Sequence, residues 1–278
     1  MNRVIASAIS AVNAEGFDIW LLQVPELLVG FLVVVGTSGL AVLGLVLSRR
    51  FLPPDWLKQS SGKDQVFALA GRLYTVMLAF TVVFVWQQFG QAEKTTWSEA
   101  AAIGILIRDS EALPAAARPA VQQSLIAYTN DVVNSEFPQM RRGELVEQQS
   151  DSLTRVWQSY LHVQPETASE NAFYKESITT LGDLVSARKS RIASSEAAIP
   201  GAMWVLLIGG GMILLALSCL LTAPDLKVFS IWIGLAGALL SFVLYLILLL
   251  EHAFIGDVSV GPEAYTRLLD TWSHLVPK

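Results

Sequence analysis

Charged side chains are scarce in this chain. Only 15% of its 278 residues are Asp, Glu, Lys or Arg, against roughly a quarter in a soluble domain. A surface facing water on every side is therefore excluded. With 53% hydrophobic residues gathered in blocks, the surplus reads as membrane spans rather than an oversized core. Cysteine is almost missing. Cys219 stands alone inside an apolar block, which excludes an internal disulfide and a cysteine-built metal site. His162, His252 and His274 are far apart and lack ligand spacing. No Gly-x-Ser-x-Gly, phosphate loop, dinucleotide fingerprint or His-Glu-x-x-His is present. Gly209-Gly210-Gly211 lies within an apolar run, not between a strand and a helix. No catalytic residue, metal or cofactor is therefore expected, and the chain is not expected to be an enzyme. The net charge of -5 is mild, and no basic cluster is large enough to point to nucleic acid. Strand-like alternation is nowhere sustained, and no internal repeat is evident.

What is present is a set of long apolar runs. The first extends from about Val24 to Leu47 and stops at Arg49-Arg50. At ~1.5 Å per residue it crosses a ~30 Å hydrocarbon core. Pro53-Pro54 then marks a turn, because neither proline can continue a helix. The second run covers about 66–89, with Arg72 near its start, placed to snorkel, and Trp86 at its far boundary. No proline appears beyond it until Pro114, so one helix is expected over about 66–112. The third and fourth spans are read at about 200–221 and 228–250, antiparallel neighbours across the short connection at 222–227.

Residues 90–199 differ in character, with 14 acidic and 10 basic residues and periodic apolar positions. Leu125, Tyr128, Thr129 and Val132 form one helical stripe. Leu145, Leu153, Val156, Tyr160 and Leu161 suggest a second. Tyr174, Ile178, Leu181, Val185, Arg188 and Ile192 form a heptad seam with one basic intruder. The fold expected is an all-α membrane protein with four transmembrane helices and a helical extramembrane domain between the second and third. Its division is 1–23 (interfacial segment), 24–89, 90–199, 200–250, and a 251–278 tail whose last helix aligns Tyr265, Leu268, Leu269, Trp272 and Val276. Residues 1–22 do not read as a signal peptide, since Glu15 and Asp18 come directly after a weakly apolar Ala- and Ser-rich stretch.

Three groups of residues could carry chemistry. Gly36, Thr37, Ser38 and Gly39 in the first span either permit close helix packing or line a pore. The same choice applies to Gly30, Gly209 to Gly211, Gly234 and Gly237. Glu99, Arg108, Arg188 and Arg191 either form ion pairs that order the stalk, with Glu99 expected on Arg188 or Arg191, or provide an anion vestibule. Glu251, Phe254, Gly256 and Asp257 close the fourth span, as a helix terminus and turn or as a gate. Orientation stays open. Arg49, Arg50, Lys58 and Lys63 argue for a cytoplasmic 49–65 loop, while Arg3, Lys94, Arg188, Lys189 and Arg191 lie on the other side.

Several stretches occur together in a telling order. They are Trp97-Ser98-Glu99-Ala100, Arg108, Leu113-Pro114, Tyr128, Glu136-Phe137-Pro138-Gln139-Met140, Asp183, Ala187-Arg188-Lys189-Ser190-Arg191, and Ile199-Pro200 with Trp204. Leu250-Glu251-His252-Ala253-Phe254-Ile255-Gly256 and Val260-Gly261-Pro262-Glu263-Ala264-Tyr265 complete the series. Over about residues 20–270 the chain resembles the bestrophin-like membrane family of bacteria and plants. At the closing motif Glu251 stands for the usual Asp and Ala253 for the usual Pro, which keeps the carboxylate and loses a rigid turn. The resemblance implies a multi-pass protein of the cell membrane, here the bacterial inner membrane, with kinship to anion channels and the helical domain in the cytoplasm. Two functions are compatible with it. One is a homo-oligomeric, channel-like protein in the lipid bilayer that passes small inorganic anions, since four spans do not enclose a pore alone. The other is a non-conducting scaffold or sensor whose helical domain binds a partner.

Overall fold

A backbone surrounded by lipid must satisfy its own N–H and C=O groups, and an α-helix does so within one segment. The computed structural model describes residues 26–51, 62–147, 149–221 and 225–273. In chain order the elements are α1 (Glu26–Phe51), α2 (Lys63–Ser110), α3 (Arg118–Asp131), a π turn (Val132–Glu136), α4 (Phe137–Arg141), α5 (Asp151–Leu161), α6 (Ala168–Ser195), α7 (Gly201–Cys219), α8 (Leu226–Glu251) and α9 (Glu263–Thr271). Among the described residues there is no strand, and the fold is all-α. Four helices, α1, α2, α7 and α8, are long and apolar enough to cross a membrane. The expected lead-in at 1–23, the turn at Pro53-Pro54, the start of the 222–227 connection, Lys58, His274 and Val276 lie outside the described residues.

The helix expected from the proline-free stretch is a single element. α2 has 48 residues and is about 72 Å long, more than twice the ~30 Å hydrocarbon thickness. It ends where the Glu111 N–H turns back onto the Arg108 carbonyl at 3.1 Å, just before Pro114. The chain divides into two compact units, one from residues up to Gln87 with Ala198–Glu251, the other from Gln88–Ala197 with the residues from His252 onward.

In the first unit the span glycines separate into two groups. A Cβ on Gly237 would lie 3.1 Å from Ala41 Cβ and 3.5 Å from the Thr37 carbonyl oxygen. One on Gly30 would meet the Tyr245 ring at 2.8 Å, and those on Gly210 and Gly211 would meet Tyr74 at 2.7 and 3.1 Å. These glycines let α1 approach α8 and α7 approach α2, as small residues do between membrane helices. Gly36, Gly39 and Gly209 have nothing within 4 Å of such a Cβ. Below the close contacts, Ala41, Leu45, Cys219 and Ile233 form a small core, and Arg49 Nη2 donates to the Leu221 carbonyl at 2.5 Å. Gly237→Leu is expected to destabilise the first unit by about 1–3 kcal/mol, the usual cost of overpacking. Thermal unfolding in mild detergent measures it.

In the second unit a single core joins Ile103, Leu106 and Ile107 of α2, Leu125 and Tyr128 of α3, Val156 and Tyr160 of α5, and Leu181, Leu184 and Ile192 of α6. Phe254 and Tyr265 complete it from the tail. Thr167 and Glu170 close a capping box at the start of α6. The second expected stripe is shorter than its spacing suggests. Leu145 is 78% exposed and Leu161 71% exposed. Gly143, at φ 69, ends α4, and helix resumes only where Ser150 accepts the Leu153 N–H. Leu153, Val156 and Tyr160 alone face inward. Here α2 and α6 are long, while α3 and α5 have 14 and 11 residues.

Candidate functional site

Pro138 has no N–H for the Asn134 carbonyl, so a regular helix cannot run through this point unchanged. The chain widens into the π turn instead, and the Phe137 N–H bonds to the Val132 carbonyl. The extra residue per turn shifts the register of α4 and puts Glu136 among the charges of the core.

There Glu99 of α2 and Glu136 meet Arg188 and Arg191, which lie three apart on one face of α6. Arg191 Nε donates to Glu99 Oε2 at 2.7 Å and Nη2 to Glu99 Oε1 at 3.2 Å. Arg191 Nη2 also donates to Glu136 Oε2, and Nη1 reaches Met140 Sδ at 3.1 Å. Arg188 grips the other oxygen, with Nη2 2.8 Å and Nε 3.1 Å from Glu136 Oε1. Its Nη2 also bonds the Glu147 carbonyl at 2.9 Å, which ties down the stretch after Gly143. Glu99 and Arg191 side chains are 0% exposed, and those of Arg188 and Glu136 are 4% and 6%.

Aromatic groups surround the charges. The Tyr128 hydroxyl donates to Glu99 Oε1 at 2.6 Å. The Arg191 guanidinium lies 5.3 Å from the Phe137 ring centroid. Phe254 and Tyr265 in turn meet Phe137 edge-on, at 6.0 and 5.6 Å. Burial, then the neighbouring Glu99 charge, holds the Tyr128 and Tyr265 hydroxyls well above the ordinary tyrosine range. Burial alone would depress Arg191, but Glu99, Tyr265 and Glu136 outweigh it and hold its guanidinium charged. Two cations and two anions sum to zero. Buried charges of this kind persist only when paired and hydrogen-bonded.

Arg108, grouped with these charges by sequence, is exposed near the end of α2, outside the cluster. Thr37 Oγ1 bonds the Val33 carbonyl at 2.7 Å and Ser38 Oγ the Val34 carbonyl at 2.7 Å, so both hydroxyls turn back on their own helix. Gly36 and Gly39 are exposed beside them. Glu251 is buried at the end of α8, where Oε1 accepts the Ile199 N–H at 2.6 Å and Oε2 the Trp204 indole N–H at 2.9 Å. A carboxylate here also meets the positive end of the α7 dipole. Phe254 is buried, Gly256 turns at φ 88, and Asp257 is exposed. The Ala253 carbonyl accepts the Val260 N–H at 2.7 Å, closing the turn that the missing proline would have stiffened.

Sequence reasoning found Glu99, Arg188 and Arg191 but not Glu136, their second carboxylate. The available signal was an acid two residues before a proline inside a helical pattern. The family model of the bestrophin-like domain matches residues 35–265, a stretch that holds all four charges of the cluster. Comparison with curated proteins finds no match.

Proposed function

Since the chain belongs to the bestrophin-like family, we propose that it is a homo-oligomeric, channel-like protein of the bacterial inner membrane that conducts small inorganic anions and has no catalytic role. The observation that carries the oligomeric part is how little of the spans one chain covers. Within the chain only 11% of the most apolar window of α2 is buried, 22% of those of α1 and α7, and 33% of that of α8. Lipid covers such surface readily, but a pore needs helices whose free faces meet neighbours, and these spans leave those faces open. The open Gly36 and Gly39 give α1 a smooth strip suited to a helix of a second copy or to a narrow path.

The test is the oligomeric state of the purified protein in mild detergent, then chloride flux from liposomes. Gly36→Leu should leave the fold of one chain unchanged, because the position is exposed and its Cβ would have nothing within 4 Å. If the strip borders the path, a barrier raised by about 1.4 kcal/mol lowers flux roughly tenfold. A monomeric wild type that passes no common anion or cation would replace this reading with that of a non-conducting scaffold or sensor.

A further inference from the structure

Arg72 is the one charged residue between Val66 and Ala92 of α2, and its depth can be read from its neighbour. Tyr74 donates its hydroxyl to the Leu207 carbonyl at 2.6 Å. Its ring occupies the space where a Cβ on Gly210 would lie, 2.7 Å away, and Leu240 approaches the Cβ position of Gly211 at 2.9 Å. Gly210 and Gly211 are at the middle of α7 and Leu240 near the middle of α8. Tyr74 therefore marks the central layer of the first unit. Arg72 lies two residues away, about 3 Å along the helix axis, toward the end shared by Lys63 and Cys219. Cys219 is eight residues from Gly211, about 12 Å. Arg72 thus stands about 9 Å inside that end, at a depth where an unpaired charge is costly.

Arg72 is exposed, and its side chain makes no hydrogen bond or ion pair with any described residue. Thr75 is exposed on the same helix face, three residues on. The other described span hydroxyls, on Thr37, Ser38, Ser48, Thr81, Ser218, Ser230 and Ser241, each bond a carbonyl of their own helix. Thr75 does not. A second copy cannot supply the missing counter-charge at this depth, because no span carries Asp or Glu between its end turns. What remains for the guanidinium is the water and headgroups toward which it snorkels, or an anionic ligand brought from there.

We propose that Arg72 and Thr75 form an anion site inside the membrane segment. The guanidinium supplies a fork of donors and the full charge, and the hydroxyl supplies one further donor on the same face. The ligand class is a small anionic group, brought either by a permeating ion or by a lipid phosphodiester. The first source rests on the channel reading and names its selecting residue, while the second does not need that reading.

Two measurements on the full-length protein separate the sources. In neutral phosphatidylcholine liposomes, Arg72→Gln should lower chloride-over-potassium preference roughly 25-fold, because one unit charge a few ångströms away in a watery path shifts each ion about fivefold in opposite directions. Arg72→Lys should keep the preference, Arg72→Glu reverse it, and Thr75→Val weaken it. By native mass spectrometry, wild type should retain more phosphatidylglycerol than Arg72→Gln if the source is lipid. A selectivity change in neutral lipid assigns the permeating ion, and lost phosphatidylglycerol with unchanged selectivity assigns the phosphodiester. If neither changes, the site does not exist. Should wild type carry no current at all, the channel reading fails, and the lipid measurement alone decides the site.

Discussion

Glu99→Ala is expected to destabilise the helical unit by about 3–5 kcal/mol, the cost of breaking a buried ion pair from one side. Removing this carboxylate leaves Glu136 as the one anion for both Arg188 and Arg191, and the guanidinium of Arg191 is 0% exposed. It also strips the Tyr128 hydroxyl of its acceptor. Arg191→Met should cost a similar amount, because Glu99 then keeps only Tyr128 as a donor and the cluster carries a net negative charge. The double variant removes one charge of each sign and restores neutrality. Its cost should fall short of the sum by about 1–3 kcal/mol, the coupling typical of contacting residues. Thermal unfolding of the four proteins in mild detergent measures this cycle. Additivity to within about 0.5 kcal/mol would show that the two side chains do not share their energy.

Glu251→Ala should cost about 3 kcal/mol. Glu251 is 5% exposed and holds two N–H donors, the Ile199 backbone and the Trp204 indole. Each donor left buried without an acceptor is worth about 1–3 kcal/mol. The Ile199 N–H has no helical alternative, since it precedes Pro200 and the first turn of α7. Glu251→Gln keeps one carbonyl acceptor and should lose about half as much. Trp204→Phe removes a single donor and should cost about 1 kcal/mol, the net worth of one hydrogen bond. Unfolding midpoints that are equal for wild type and Glu251→Ala would remove this carboxylate from the structural account.

The spans were legible because lipid imposes a length and a polarity that few residues can disguise. The continuity of α2 was legible from the absence of proline up to Pro114. Arg188 could be noticed because it interrupts an apolar seam, and a charge in a seam must find a counter-charge. Glu136 could not be paired with it from spacing, because the π turn breaks the very period on which spacing arguments rest. The fate of each glycine was hidden for a different reason. Gly237 and Gly36 look alike in sequence, and only the helix opposite decides that one is pressed against Ala41 while the other faces open space. Leu145 and Leu161 group with Leu153 because apolar spacing carries no mark of the helix ends at Gly143 and Leu161.

The charge cluster also has a kinetic side. Helical proteins usually fold through contacts between near neighbours in sequence, which close quickly. Here the bonds of Arg191 span 92 residues to Glu99 and 55 to Glu136, and Tyr265, farther along still, seals the site. As the chain is made, Glu99 exists well before any cation that will neutralise it, and it must wait hydrated until α6 and the tail are complete. The last locking step is therefore expected to wait on chain topology rather than on helix formation. A ribosome-stalled chain ending before Tyr265 should hold its helices yet remain open at the cluster, accessible to protease until the final segment arrives.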